Sequence, residues 1–166
     1  VVSGNVSFYN ETKDKGIKPT PVIGGVGLLR DYKNMITMDF KKVDNIVLVL
    51  GKTEGHLDQS IFAKEILNEK KGPPPSVNLF NEKNIGQTLL DLIDQKVILS
   101  CHDVSLGGIL IAASKMCIKG NKGLKINNLK GLTNKYEYFF GEDQASYIIE
   151  VSKDHIKKIV EILNMS

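Results

Sequence analysis

Three short clusters carry residue types that could do chemistry. The first is SGNVS, residues 3–7. Gly4 lets backbone approach a ligand closely. The Asn5 side chain offers a neutral amide oxygen, a hard ligand suited to magnesium. Ser7 stands two positions on, so on a strand its hydroxyl projects to the same face as Asn5. A metal ligand and a substrate-binding hydroxyl would then lie side by side. Two plainer readings stay open: a Gly/Asn turn, or the N-glycosylation sequon, which Asn5-Val6-Ser7 and Asn10-Glu11-Thr12 both match.

The second cluster, SCHDVSLGG (100–108), lies at the end of an apolar strand and just before a helix. Backbone N–H groups at a helix start can hold an anion, and Gly107 and Gly108 permit close approach. His102, Asp103 and Ser105 are the polar groups at hand; ordinary capping by Asp103 or Ser105 is the alternative. The third cluster is FFGEDQAS (139–146), where Glu142, Asp143 and Gln144 follow a glycine and precede a strand. Such oxygens at a strand mouth suit a metal or a ribose, and a polar turn is the alternative. GGVG at 24–27 falls inside an apolar stretch and reads as packing or strand twist. There is no Walker A sequence, GxGxxG after a strand, HExxH, CxxC or GxSxG. His56, His102 and His155 are far apart in sequence, and His155 reads as a surface residue.

The elements that must position these clusters follow from apolar periodicity. Residues 1–12 and Val22–Leu29 predict a hairpin, with Pro19 and Pro21 stiffening its second arm. A lone hairpin is not independently stable, so it must belong to something larger. NIVLVLG (45–51) is a buried strand. Helices follow at 57–69, capped by Asp58 or Ser60, and at 81–96, separated by a proline loop. VILSC (97–101) is a second buried strand, and a helix from Ile109 ends at Gly120. A short strand at LKINN (124–128), a strand at 144–152 and a helix at 153–164 complete the order β-α-α-β-α-β-β-α. The fold class is α+β: a three-layer α/β/α domain with a mixed sheet, preceded by a β-hairpin.

Composition narrows the classes. The 166 residues are 42% hydrophobic and 25% charged, with a net charge of +3, which suits a folded core. Lys and Glu are intermixed, so a nucleic-acid partner is not expected, while acidic small molecules such as phosphates suit the charge. Cys101 and Cys117 are too few for a disulfide framework or a zinc site and read as buried thiols. No apolar run approaches ~18 residues and no signal peptide is visible, so no membrane role and a cytoplasmic location are expected.

Five stretches, SGNVSFYNET, KPTPVIGGVGLL, KGPPPSVNL, CHDVSLGG and FGEDQAS, occur in an order that resembles the late part of phosphoribosylformylglycinamidine synthase. The resemblance runs over nearly the whole chain. It implies a piece of a longer synthetase chain of the aminoimidazole ribonucleotide synthetase-like superfamily. Residues 1–31 would be the tail of its second N-terminal, barrel-forming domain, and residues 32–166 its second C-terminal α/β/α domain. The chain would then begin mid-domain and stop short of the natural C-terminus.

That family uses ATP and magnesium to convert formylglycinamide ribonucleotide to the amidine, with ammonia supplied by a glutaminase subunit or domain. The resemblance implies that Gly4 contacts ATP, Asn5 holds magnesium and Ser7 binds the ribonucleotide. His102, Asp103, Ser105, Gly107, Gly108, Glu142 and Gln144 are implied anion or nucleotide contacts rather than catalytic groups. The family has an acidic residue where this chain has Leu106, which leaves that loop an anion-binding or packing role. The remaining catalytic groups would lie elsewhere in the parent, so the chain alone is expected to be inactive. Aminoimidazole ribonucleotide synthetase, selenophosphate synthetase and a non-catalytic nucleotide-binding scaffold are the alternatives.

Overall fold

Lys13 and Asp14 both take left-handed backbone, with φ of 50° and 59°, as both central residues of a type I′ hairpin turn must. They join β1 (Glu11–Thr12) to β2 (Lys15–Gly16), which pair antiparallel with Glu11 opposite Gly16. The Ile17 N–H donates to the Asn10 carbonyl and extends the ladder by one bond. The structure is a computed structural model that describes residues 2–5, 10–18, 20–127 and 134–165.

This hairpin is smaller than the one expected. Val22–Leu29 forms no strand, and Val22, Ile23, Val26 and Leu28 are almost wholly exposed. Gly24, Gly25 and Gly27 have open space where a side chain would stand; they weaken the stretch as a strand, and among the described residues it has no strand to pair with. The chain divides into two units, Val1–Arg30 and Asp31–Ser166.

The second unit is built on three strands: β3 (Ile46–Leu50), β4 (Ile98–Asp103) and β5 (Tyr147–Val151). β5 is central, in the order β3-β5-β4, and both ladders are antiparallel. The α+β class therefore stands, but the sheet is antiparallel throughout its described strands rather than mixed. β3 and β4 run parallel to each other on either side of β5. Their connection holds α1 (Ile61–Glu65) and α2 (Leu79–Asp94). α3 (Gly108–Gly120) and α4 (Lys135–Phe140) follow β4, and α5 (Ile156–Met165) follows β5 after a 3-10 turn.

Strand alternation sorts the core into two clusters. Val47, Val49 and Ile148 pack with Ile109, Ala112, Ala113 and Met116 of α3, and with Phe40 and Tyr138. Ile46, Leu48, Ile149 and Val151 point the other way, against Leu89 and Leu92 of α2 and Ile156 and Ile159 of α5. A β-bulge between Ile98 and Ser100 shifts the β4 register. The Glu150 side chain, only 1% exposed, accepts from the Lys41 and Lys42 N–H groups, Asn45 Nδ2 and Ser100 Oγ. It ties residues 41–45, just ahead of β3, to the sheet.

Several boundaries differ from expectation. The first helix shrinks to Ile61–Glu65, capped by Ser60, whose Oγ accepts from the Ala63 N–H. α3 includes Gly120, and Asn121 takes the left-handed capping position. A side chain at Gly120 would strike the Phe40 backbone at 2.6 Å, so close packing explains that glycine. No strand forms over 124–127, while α4 stands where none was expected. His155 is no plain surface residue, because its Nδ1 meets the Val97 carbonyl at 3.2 Å.

Candidate functional site

Parallel β3 and β4 end beside the start of β5. The loops 51–58, 104–107 and 141–146 therefore meet at one edge of the sheet, and the second and third sequence clusters come together there. Of the first cluster, Gly4 and Asn5 are exposed and lie in no strand. Ser7 lies outside the described residues, as does the proposed shared face with Asn5.

The acidic pair at this edge is occupied by the protein's own backbone. Glu142 Oε1 accepts from the Gly107 N–H and from the Ile61 N–H, both at 2.8 Å. The start of α3 thus has its anion already, a carboxylate from the chain itself. Neither Asp103 nor Ser105 caps that helix. Asp143, nearly buried, accepts from the Glu54 and Gly55 N–H groups through Oδ2 and from His56 N–H through Oδ1. The Glu142 N–H donates to the His56 carbonyl at 2.9 Å. Glu142 and Gly107 are therefore held to each other in the chain itself.

The glycines serve the same joint. Gly108 has φ +70°, and a side chain there would strike the carbonyl of Phe139 at 2.7 Å and that of Gly141 at 2.8 Å. Its N–H closes a turn to the Ser105 carbonyl.

His102 Nδ1 lies 2.9 Å from Asp103 Oδ1. Its Nε2 is buried and has no partner among the described residues. Burial works to raise the Asp103 pKa, but the Ser105 hydroxyl and His102 outweigh it and hold the carboxyl below its usual value. Asp103, Ser105 and Gln144 are exposed, and so is Leu106. Gln144 also lines a cleft of about 580 Å³, together with Lys52, His56, Asp58 and Asn78. His56 Nε2 meets the Pro73 carbonyl at 3.1 Å, and Gln59 Nε2 donates to the Gly72 carbonyl at 3.0 Å, so the proline loop is strapped across its side. Among the described residues no group of three His, Cys, Asp or Glu could hold a metal ion.

Sequence reasoning overlooked two parts of this joint. One is the 54–56 loop that receives Asp143; its groups are backbone amides and leave no side-chain signal. The other is α4. Asn134 Oδ1 accepts from the Tyr136 and Glu137 N–H groups, and Asn followed three residues later by Glu is the capping-box spacing that marks a helix start.

The family model described as AIR synthase related protein, C-terminal domain, matches residues 42–165. The phosphoribosylformylglycinamidine synthase subunit PurL of Pelagibacter ubique (strain HTCC1062) is 68% identical over 163 residues, covering 98% of this chain and 22% of that one. The same subunit of Rhodopseudomonas palustris (strain BisA53) is 42% identical over 156 residues, covering 94% and 21%. Phosphoribosylformylglycinamidine synthase II of Thermotoga maritima superposes with a TM-score of 0.63 at 17% identity, over 81% of this chain and 22% of that one. T. maritima PurL complexed with FGAR gives a TM-score of 0.66 at 18% identity, over 81% and 24%. At such identity the structural likeness bears on the fold alone. The chain spans about a fifth of the length of the curated relatives it matches.

Proposed function

The chain belongs to the family of AIR synthase related protein C-terminal domains, and from that premise we propose that it is a late segment of the synthetase subunit of phosphoribosylformylglycinamidine synthase. The parent would be a ligase that uses ATP, and ammonia released from glutamine by a glutaminase partner, to convert formylglycinamide ribonucleotide to the amidine in the cytoplasm. The observation that carries this reading is the 68% identity to the P. ubique subunit, which runs over 98% of the chain.

The two units suit different roles. Residues 1–31 are the tail of the second barrel-forming domain, and 32–166 belong to the second C-terminal-type domain; the break after Arg30 supports that division. Gly4 contacts ATP through its backbone, Asn5 is one magnesium ligand and Ser7 binds the ribonucleotide. The exposure of Gly4 and Asn5 leaves both open to ligands. Magnesium requires a near-octahedral set of oxygens. Asn5 supplies one of them, and among the described residues no group of three His, Cys, Asp or Glu could hold the ion.

In the second unit, the bonds made by Glu142 and Asp143 favour a scaffold role. His102, Asp103, Ser105, Gly108 and Gln144 are then contacts at most to a nucleotide of structural importance. A chimera tests the whole reading: this chain replaces the matching segment of the P. ubique subunit, and ATP-dependent amidine formation is assayed. Activity near that of the parent is expected, and none from the isolated chain. A folded chimera without activity would overturn the assignment. Asn5→Ala in the active chimera should raise the magnesium requirement; an unchanged requirement removes the metal role.

A further inference from the structure

The cleft of about 580 Å³ has walls of two kinds. One kind is fixed by bonded groups. His56 lines the cleft with its N–H on Asp143 Oδ1 and its carbonyl on the Glu142 N–H. The other kind is Pro75, Ser76 and Asn78, from the segment between α1 and α2. Residues 70–77 of that segment make no backbone–backbone hydrogen bond among the described residues. All of them but Pro75 are exposed. Pro73, Pro74 and Pro75 have no N–H to offer and their rings fix φ, so the three move as one extended rod.

The rod can turn at both ends. Before it, Asn68 and Gly72 take left-handed backbone, with φ of 56° and 92°. Gly72 also permits close approach, because an added Cβ would lie 2.2 Å from Asp58 Oδ2. Beyond it, Asn78 is anchored: its Oδ1 accepts from the Phe80 and Asn81 N–H groups and caps α2. Ser76 and Val77 join rod and anchor. Among the described residues, two side chains bond the segment to the body. Gln59 Nε2 donates to the Gly72 carbonyl at 3.0 Å and to the Lys70 carbonyl at 3.5 Å. His56 Nε2 donates to the Pro73 carbonyl at 3.1 Å, since a carbonyl can only accept. Gln59 is itself left-handed, with φ of 60°, and strain of that kind collects at clamps and switches.

We propose that residues 70–77 are a hinged strap, latched by Gln59 and His56, whose opening widens the cleft. The rod swings on its two ends, and no helix or strand has to break. Exposed hydrogen bonds are individually weak, so a strap held by these latches opens far more readily than the fold unfolds. Closed, the strap walls the cleft. Open, it bares the half-buried Leu57 and Ile85 of the cleft lining to a molecule arriving from solvent. A segment of this kind admits a ligand and then closes on it.

Trypsin cleavage after Lys71 reads the open strap, and maleimide labelling of an Ile85→Cys chain reads access to the cleft. Both are followed by peptide mass spectrometry on the full 166-residue chain. Gln59→Glu replaces the donor with an acceptor, and His56→Phe keeps a ring without the N–H. Each should speed both reactions about fivefold, the change in open population that one lost hydrogen bond brings. The urea midpoint should stay unchanged, and in the chain with both latches the two rates should be flat below the unfolding transition. Unchanged cleavage in both variants overturns the proposal. So does faster cleavage with unchanged labelling of Ile85→Cys, which would leave a loose loop that gates nothing. Rates that climb with urea in step with global unfolding overturn it as well, even if a variant proves unstable, because they tie the segment to the fold.

Discussion

Glu142 accepts the Gly107 N–H at 2.8 Å across 35 residues of sequence, and the same oxygen accepts the Ile61 N–H at 2.8 Å across 81. One carboxylate thus starts two helices that share no local sequence. It also ties the loop after β4, which ends in Gly107 and Gly108, to the loop that enters β5.

Glu142→Ala leaves two helix-terminal N–H groups to find water. Hydrogen bonds to a charged acceptor are worth about 1.5–3 kcal/mol, so a loss in that range is expected from urea unfolding of the 166-residue chain. Glu142→Gln keeps an acceptor and should cost about half as much. An alanine variant as stable as the parent would show that the bond contributes nothing.

Two glycine substitutions should act in opposite directions. Gly108 has φ +70°, and its added Cβ would lie 2.7 Å from the Phe139 carbonyl oxygen and 2.7 Å from the Phe140 carbonyl carbon. Backbone cannot swing aside as a flexible side chain can, so Gly108→Ala should destabilise by about 3 kcal/mol or more. Gly86 lies within α2 with open space where a side chain would stand. Gly86→Ala should stabilise by about 0.5–1 kcal/mol. Thermal unfolding of both variants checks the pair, and equal midpoints would count against this packing.

Much of the second unit is legible from local pattern. IVLVL and VILSC read as buried strands because both of their faces are apolar; both form strands, at 46–50 and 98–103, although Ile46 to Val49 are only half-buried. The joint at the sheet edge is not legible in that way. Asp143 serves amides 87–89 residues away, and a backbone N–H has no signature in sequence. Val22–Leu29 shows the opposite failure. Its apolar run looks like a strand, but a strand needs a neighbour, and among the described residues none pairs with it. α4 was readable in principle, since Asn134 and Glu137 stand at capping-box spacing, but the Lys, Asn and Gly around it suggest a loop.

Burial pushes the Cys101 thiol up to about 11, with the nearby Asp103 charge adding to the effect. Burial raises Cys117 as well. The thiolate is the nucleophile, so at pH 8 Cys101 in the folded chain should alkylate on the order of a hundredfold more slowly than in urea. Mass spectrometry after iodoacetamide treatment measures this directly. Fast labelling of Cys101 in the native chain would contradict its half-buried position against the α2 and α5 cluster.

Glu150 should make stability depend on pH. Burial raises its pKa, but the Lys41 N–H, the Asn45 amide, the Lys42 N–H and the Ser100 hydroxyl together outweigh burial and lower it. A carboxyl whose folded value lies below its unfolded value binds fewer protons when folded. Its contribution is therefore complete above the ordinary glutamate value of about 4.3 and is lost as pH falls through the lower folded value. Urea midpoints should drop over that acid range, and Glu150→Gln should flatten the part of the drop that Glu150 causes. The variant should also be less stable at pH 7 by about 2–4 kcal/mol, because an amide places an N–H₂ among four donors and leaves buried groups unpaired. A Glu150→Gln chain with unchanged stability and an unchanged acid slope would mean that the connector at 41–45 is held by something other than this carboxylate.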